Sequence, residues 1–217
     1  MNQTYASLFT PWKIGTVEIK NRIVMCSMGG TSIFGWMEPN HFDKEAANFL
    51  LERARNNVGL ILPGIAPIRD TMGGMWLYQN KAFGLIGKPI FNMDYICASA
   101  SATPNRWADD VYSRPFTVDE IHEIVEAFAK TALLCKEAGV DGVEVHAVHE
   151  GYTLDQFTMK YTNQRTDEYG GSFENRYRFP AEIVKAIKAR CGSEYPVSLR
   201  YSVVSKTKGF RMGAVPG

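Results

Sequence analysis

The sequence predicts an α/β protein built from parallel β/α units, and three observations carry that expectation. Short apolar strands and amphipathic helices alternate along the chain, an order that calls for right-handed crossovers and a sheet covered by helices. The glycine-rich run "SMGGTSIFG" (27–35) lacks both the G-x-G-x-x-G spacing and the immediate helix of an open dinucleotide-binding sheet. Polar residues capable of chemistry gather instead where strands end: Cys26 and Ser27, Gly64, His146 and Arg200. Strand ends form the active face of a closed parallel barrel, so a (β/α)8 barrel of TIM type is the expected architecture.

The elements follow in order. "VEIKNRIVMCSM" (17–28) is β-rich, with residues 23–28 as a first buried strand. Phe42, Ala46, Leu50 and Ala54 recur at helical spacing, with Asn57 as the stop. "GLILPG" (59–64) is a second short strand, and "PIFNMDYICAS" (89–99) a weaker third. Thr117 and Glu120 make a capping-box signature for the clearest helix. Its apolar stripe is Ile121, Ile124, Val125, Phe128, Ala132 and Cys135, and Gly139 sits at its C′ position. A strand over 140–146 follows. A helix over 172–190 is bent or interrupted at Pro180 and closed by Gly192, and "PVSLRYS" (196–202) is the next strand.

Composition narrows the function. A net charge of +1 gives no global electrostatic reason to expect nucleic acid or an anionic membrane as partner. No apolar run approaches the ~20 residues of a membrane span, and the start lacks the n-region and h-region of a signal peptide. A cytoplasmic protein is expected. The four cysteines, Cys26, Cys97, Cys135 and Cys191, are too scattered for a metal or redox motif.

The segment "VDGVEVHAVHEGYTLDQF" (140–157) raises the functional question. Alternation puts Glu144 and His146 on one side of the strand and Val143 and Val145 on the other. His149 follows three residues later and Tyr152 shortly after. Three readings of the histidines stand: satisfied structural residues, a zinc pair in a metal-dependent barrel hydrolase, or two donors polarising one carbonyl oxygen, with Tyr152 as proton donor. Arg200 shares its strand face with Ser198 and Ser202. It calls either for an anion or electron-rich ring, or for a salt bridge with Glu144.

"GVEVHAVHEGYTLDQF" (142–157) and "TNQRTDEYGGSFENRYRF" (162–179) resemble the signature of the Old Yellow Enzyme family, in the branch of 2,4-dienoyl-CoA reductases and clostridial enoate or bile-acid reductases. "LFTPWKIGTVEIKNRIVMCSM" (8–28) and "SRPFTVDEIHEIVEAFAKTALLCKEAG" (113–139) are similar to its start and its helix before the histidine strand. The resemblance implies FMN at the barrel mouth, reduced by NAD(P)H, with hydride passing to the activated C=C of an enoyl, enone or steroid-like small molecule. It further implies that His146 and His149 hold the substrate carbonyl and that Tyr152 protonates the α-carbon. Cys26, Ser27, Met28, Gly29 and Gly64 would contact the flavin, and Arg200 would lie near flavin N1. No metal site is implied.

The sequence also departs from the family. Glu150 is interposed where the family reads His-Gly-Tyr, and "NKAFGLIGKPIFNMDY" (80–95) offers neither an amphipathic helix nor a strand bearing the family's flavin-contacting Gln. Strands for about five of the eight units are visible, so residues 1–217 are expected to be one partial barrel domain with the third unit shortened. Neither an iron–sulfur cluster nor FAD is expected. Open strand edges would favour a homo-oligomer. The alternative function is a non-catalytic barrel remnant that does not hold flavin.

Overall fold

The computed structural model describes residues 3–27, 44–63, 68, 98–103, 112–148, 153–203, 206–209 and 213–216. The chain divides into two compact units, residues 1–85 and 86–217.

The first unit opens with a 3-10 helix, Gln3–Phe9, and an antiparallel hairpin of β1 (Trp12–Ile14) and β2 (Val17–Ile19) that the strand pattern did not foresee. Next come β3 (Val24–Met25), α1 (Lys44–Arg55) and β4 (Leu60–Ile61). Val24 pairs with Leu60 and Met25 with Ile61 in parallel, which gives the expected β/α/β unit with shorter strands than the apolar runs suggested. Asn57 ends the helical region in the left-handed conformation, at φ 66°. The buried Asn21 welds this corner: its Nδ2 donates to Asn57 O at 2.7 Å and its Oδ1 accepts from Ile23 N at 3.0 Å.

The second unit holds β5 (Ala98–Ser99), β6 (Arg114–Pro115), α2 (Val118–Glu137), β7 (Val143–Ala147), α3 (Thr153–Thr158), α4 (Phe173–Cys191) and β8 (Val197–Tyr201). A final antiparallel hairpin joins β9 (Lys206–Gly209) and β10 (Gly213–Pro216). The Thr117–Glu120 capping box forms as predicted, and Gly139 lies just beyond α2 with φ 84°.

Pro180 does not interrupt its helix: α4 runs unbroken from Phe173 to Cys191. A mid-helix proline costs about 3 kcal/mol. Here its ring is fully buried beside Phe179 and Ile183, and that packing offsets the lost N–H. Ile121, Ile124, Ala129 and Ala132 of α2 share the core with Phe179, Ile183 and Ile187 of α4. Phe157 meets Phe179 edge-on at 4.8 Å between ring centroids.

Among the described residues the strands pair two by two, and no larger sheet is formed. The expected third strand is seen only as Ala98–Ser99, paired in parallel with Arg114–Pro115. The rest of that stretch, residues 89–97, lies outside the described residues.

Candidate functional site

The best-defined chemistry lies on β7 and β8. The two strands start in close contact: a Cβ on Gly142 would stand 2.9 Å from both Cβ and O of Pro196, and Val143 N donates to Pro196 O at 3.0 Å. Only glycine allows that approach, and it sets the register for the whole ladder. Glu144 then lies opposite Ser198, and His146 opposite Arg200. Val145 and Ala147, on the other face, are buried. His146 and Arg200 therefore stand side by side near the strand ends, both half-buried.

The salt-bridge reading of Arg200 is met in a loose form. Its Nη1 stands 3.9 Å from Glu144 Oε1, with side-chain exposures of 38% and 24%. That separation is ionic contact without a hydrogen bond. Ser198 Oγ donates to Glu144 Oε2 at 3.0 Å, a contact that the strand pattern did not reveal. Among the described residues the Arg200 guanidinium donates no hydrogen bond, and its planar fork of N–H groups is of the kind that suits an anion or an electron-rich heterocycle.

On the first unit, Ser27 Oγ donates to Pro63 O at 2.7 Å and pins together the chain just beyond β3 and β4. Cys26 is an exposed free thiol. Met28, Gly29, Gly64, His149 and Tyr152 lie outside the described residues. Among the described residues no three His, Cys, Asp or Glu side chains converge on a common point, and no helix is long and apolar enough to cross a membrane.

The segment 162–170 forms a polar knot that spacing alone could not reveal. Arg165 Nη1 donates to Ala100 O at 3.1 Å and Phe116 O at 2.7 Å, while its Nε donates to Asp167 Oδ1 at 2.9 Å. Buried Asn163 donates from Nδ2 to Phe157 O and Tyr169 O, both at 2.7 Å. Gln164 N donates to Ser101 Oγ at 2.8 Å. Burial pushes the Asp167 carboxyl up, but the Arg165 hydrogen bonds and charge and the Tyr169 N–H outweigh it and hold the group below its ordinary range. Burial, with the Glu182 carboxylate accepting from the phenol, pushes Tyr169 well above the usual tyrosine range. The knot fixes the chain that leaves α3 against the ends of β5 and β6.

The sequence profile described as NADH:flavin oxidoreductase / NADH oxidase family matches residues 7–80 and 90–212. The chain belongs to that family. FMN with NAD(P)H as reductant is the family's cofactor chemistry. Cinnamate reductase of Clostridium sporogenes is 37% identical, with all of this chain aligned to 37% of the relative. NADH oxidase of Thermoanaerobacter brockii is 32% identical, over 94% of this chain and 35% of the relative. Among solved structures, 2-naphthoyl-CoA reductase superposes with a TM-score of 0.68 at 27% identity, covering 90% of this chain and 35% of that one. The chain thus spans little more than a third of these family members. The cinnamate reductase alignment runs over 249 positions against 217 residues here, so that relative carries internal sequence with no counterpart in this chain.

Proposed function

We propose that this chain is the flavin-bearing part of an FMN-dependent ene-reductase, which passes hydride from NAD(P)H through flavin to the activated C=C of an unsaturated acid, thioester or ketone. The observation that carries the reading is the His146–Arg200 pair. A guanidinium with unspent donors and an imidazole lie side by side at the ends of two parallel strands. That donor set suits the group: flavin presents an electron-rich N1 and C2 carbonyl that become anionic on reduction, and a fixed cation there favours the reduced form.

In this reading Arg200 faces the flavin's pyrimidine edge, and His146 with His149 binds the substrate oxygen. Tyr152 delivers a proton to the carbon that does not receive hydride. Cys26, Ser27, Met28, Gly29 and Gly64 are assigned flavin contacts. Bound FMN supplies the hydride. The protein's own residues hold the carbonyl, disperse its developing charge and position the acid. Relatives named for cinnamate and 2-naphthoyl-CoA support an aryl-conjugated acid or thioester as the substrate class.

A second reading, a non-catalytic remnant that does not hold flavin, is favoured by two observations: the relative's internal sequence without counterpart here and the profile's break between residues 80 and 90. Titrating the purified protein with FMN separates the two. Stoichiometric quenching of flavin fluorescence, followed by bleaching with NADH and recolouring with cinnamate, supports the reductase. A protein that takes up no FMN overturns it.

A further inference from the structure

Glu144 belongs to none of the roles above, yet it occupies the pivot of the β7–β8 face. Glu144, His146, Ser198 and Arg200 all project from one side of the parallel pair, with Glu144 opposite Ser198 and His146 opposite Arg200. The carboxylate divides its two oxygens. Oε2 accepts from Ser198 Oγ at 3.0 Å, and Oε1 stands 3.9 Å from Arg200 Nη1. One oxygen is anchored by a short hydroxyl on a rigid strand, while the other presents negative charge diagonally to the guanidinium two residues on.

We infer that Glu144, anchored by Ser198, is the positioning residue for Arg200: it steers and partly neutralises the guanidinium without consuming its N–H groups. At 3.9 Å the interaction is Coulombic, so the guanidinium donors stay available for an anion. A shorter bidentate pair would spend them, as Arg114 does on Glu120. The pair is half-exposed and adds little to stability. Its effect is on where the charge sits and how strongly it is felt. A full unopposed cation would bind the anionic, reduced form of a flavin more tightly, whereas a guanidinium backed by a carboxylate sets an intermediate potential. The flavin part of this inference rests on the function proposed above.

The test uses Glu144→Gln, which keeps the side-chain shape and the acceptor for Ser198 but removes the charge. In the protein without flavin, phenylglyoxal modification of Arg200, followed by peptide mass spectrometry, should quicken several-fold. Arg190, which pairs with Glu126 elsewhere on the surface, serves as the internal control and should not change. In the FMN-loaded protein the same variant should move the flavin midpoint potential to a more positive value, and Arg200→Lys should not reproduce that shift. Unchanged labelling of Arg200 overturns the positioning role whatever the flavin does. Faster labelling with an unmoved potential overturns its extension to the flavin. Failure of the wild-type protein to take up FMN overturns the functional reading alone, since the labelling still decides the Glu144–Arg200 relationship.

Discussion

His146 and Arg200 are register partners across β7 and β8, one residue pair before the ladder ends at Ala147 and Tyr201. A cation beside an imidazole at the ends of parallel strands is poorly placed to stabilise a fold and well placed to receive negative charge. If His146 and His149 bind a substrate oxygen, replacing both with Ala in the flavin-loaded protein should abolish the long-wavelength charge-transfer band that phenols induce by stacking on oxidised flavin. Flavin loading itself should persist. An unchanged band would remove the oxygen-binding role.

In the proposed function Tyr152 is the acid that completes alkene reduction. Tyr152→Phe should slow alkene reduction by ~10²-fold or more, the scale of a positioned general acid, while leaving flavin reduction by nicotinamide at its wild-type rate. Stopped-flow measurement of the two half-reactions checks this. Glu150, interposed before Gly151, gives a second variant: deleting it restores the family's His-Gly-Tyr spacing and should leave the proton-transfer rate unchanged or raised if Tyr152 already reaches. Equal loss of both half-reactions in Tyr152→Phe would make the tyrosine structural.

The polar knot should matter for stability rather than chemistry. Asn163 spends both Nδ2 hydrogens on buried carbonyls, Phe157 O and Tyr169 O. Asn163→Ala leaves those acceptors without a donor and should lower unfolding free energy by about 2–4 kcal/mol, read as a shifted urea midpoint at unchanged slope. A loss below the scale of a single hydrogen bond would show that water replaces the amide at no penalty.

Much of the second unit was legible because its signals are local. Thr117 and Glu120 announce the start of α2 three residues apart, and Ser172 and Gly192 flank α4. Val145 and Ala147 against Glu144 and His146 give the two faces of β7. What stayed hidden depends on contacts distant in sequence. Arg165 reaches Ala100 and Phe116, and Ser198 meets Glu144 only once the register is known. At Pro180 only the expected interruption failed, for a related reason: propensity counts its missing N–H but not the core that buries its ring.

Glu120 supplies a pH signature. Hydrogen bonds from Arg114, with further help from the Thr117 backbone N–H and the Arg114 charge, hold its carboxyl down at about 2, against burial, which raises it. Because the folded value is depressed, the stabilisation is present above the unfolded value near 4.5 and is lost as pH falls towards about 2. Glu120→Gln keeps a weaker cap and loses the ion pair, so at neutral pH it should destabilise by no more than about 1 kcal/mol, discounted for exposure. The gap between wild type and variant should then narrow as acid is added through that window. Urea melts at several pH values check it, and a gap that stays constant down to the lowest pH would show that the Arg114 pair contributes nothing.

The internal sequence that cinnamate reductase has and this chain lacks should govern flavin affinity. The family profile breaks between residues 80 and 90, within the run where the sequence predicts a shortened third unit. A parallel sheet gains a strand only with its crossover, so a shortened third unit would lose helix and strand sequence together, along with any flavin contact that sequence would carry. Each hydrogen bond missing from a buried ring edge is worth about 1 kcal/mol or more, and 1.4 kcal/mol is tenfold in affinity. Grafting the relative's segment between residues 80 and 90 should therefore tighten FMN binding by about tenfold or more, measured by fluorescence quenching, and should sharpen thermal unfolding. If the graft folds and FMN binds no more tightly than before, the third unit is dispensable, and the contacts on β7 and β8 hold the flavin without it.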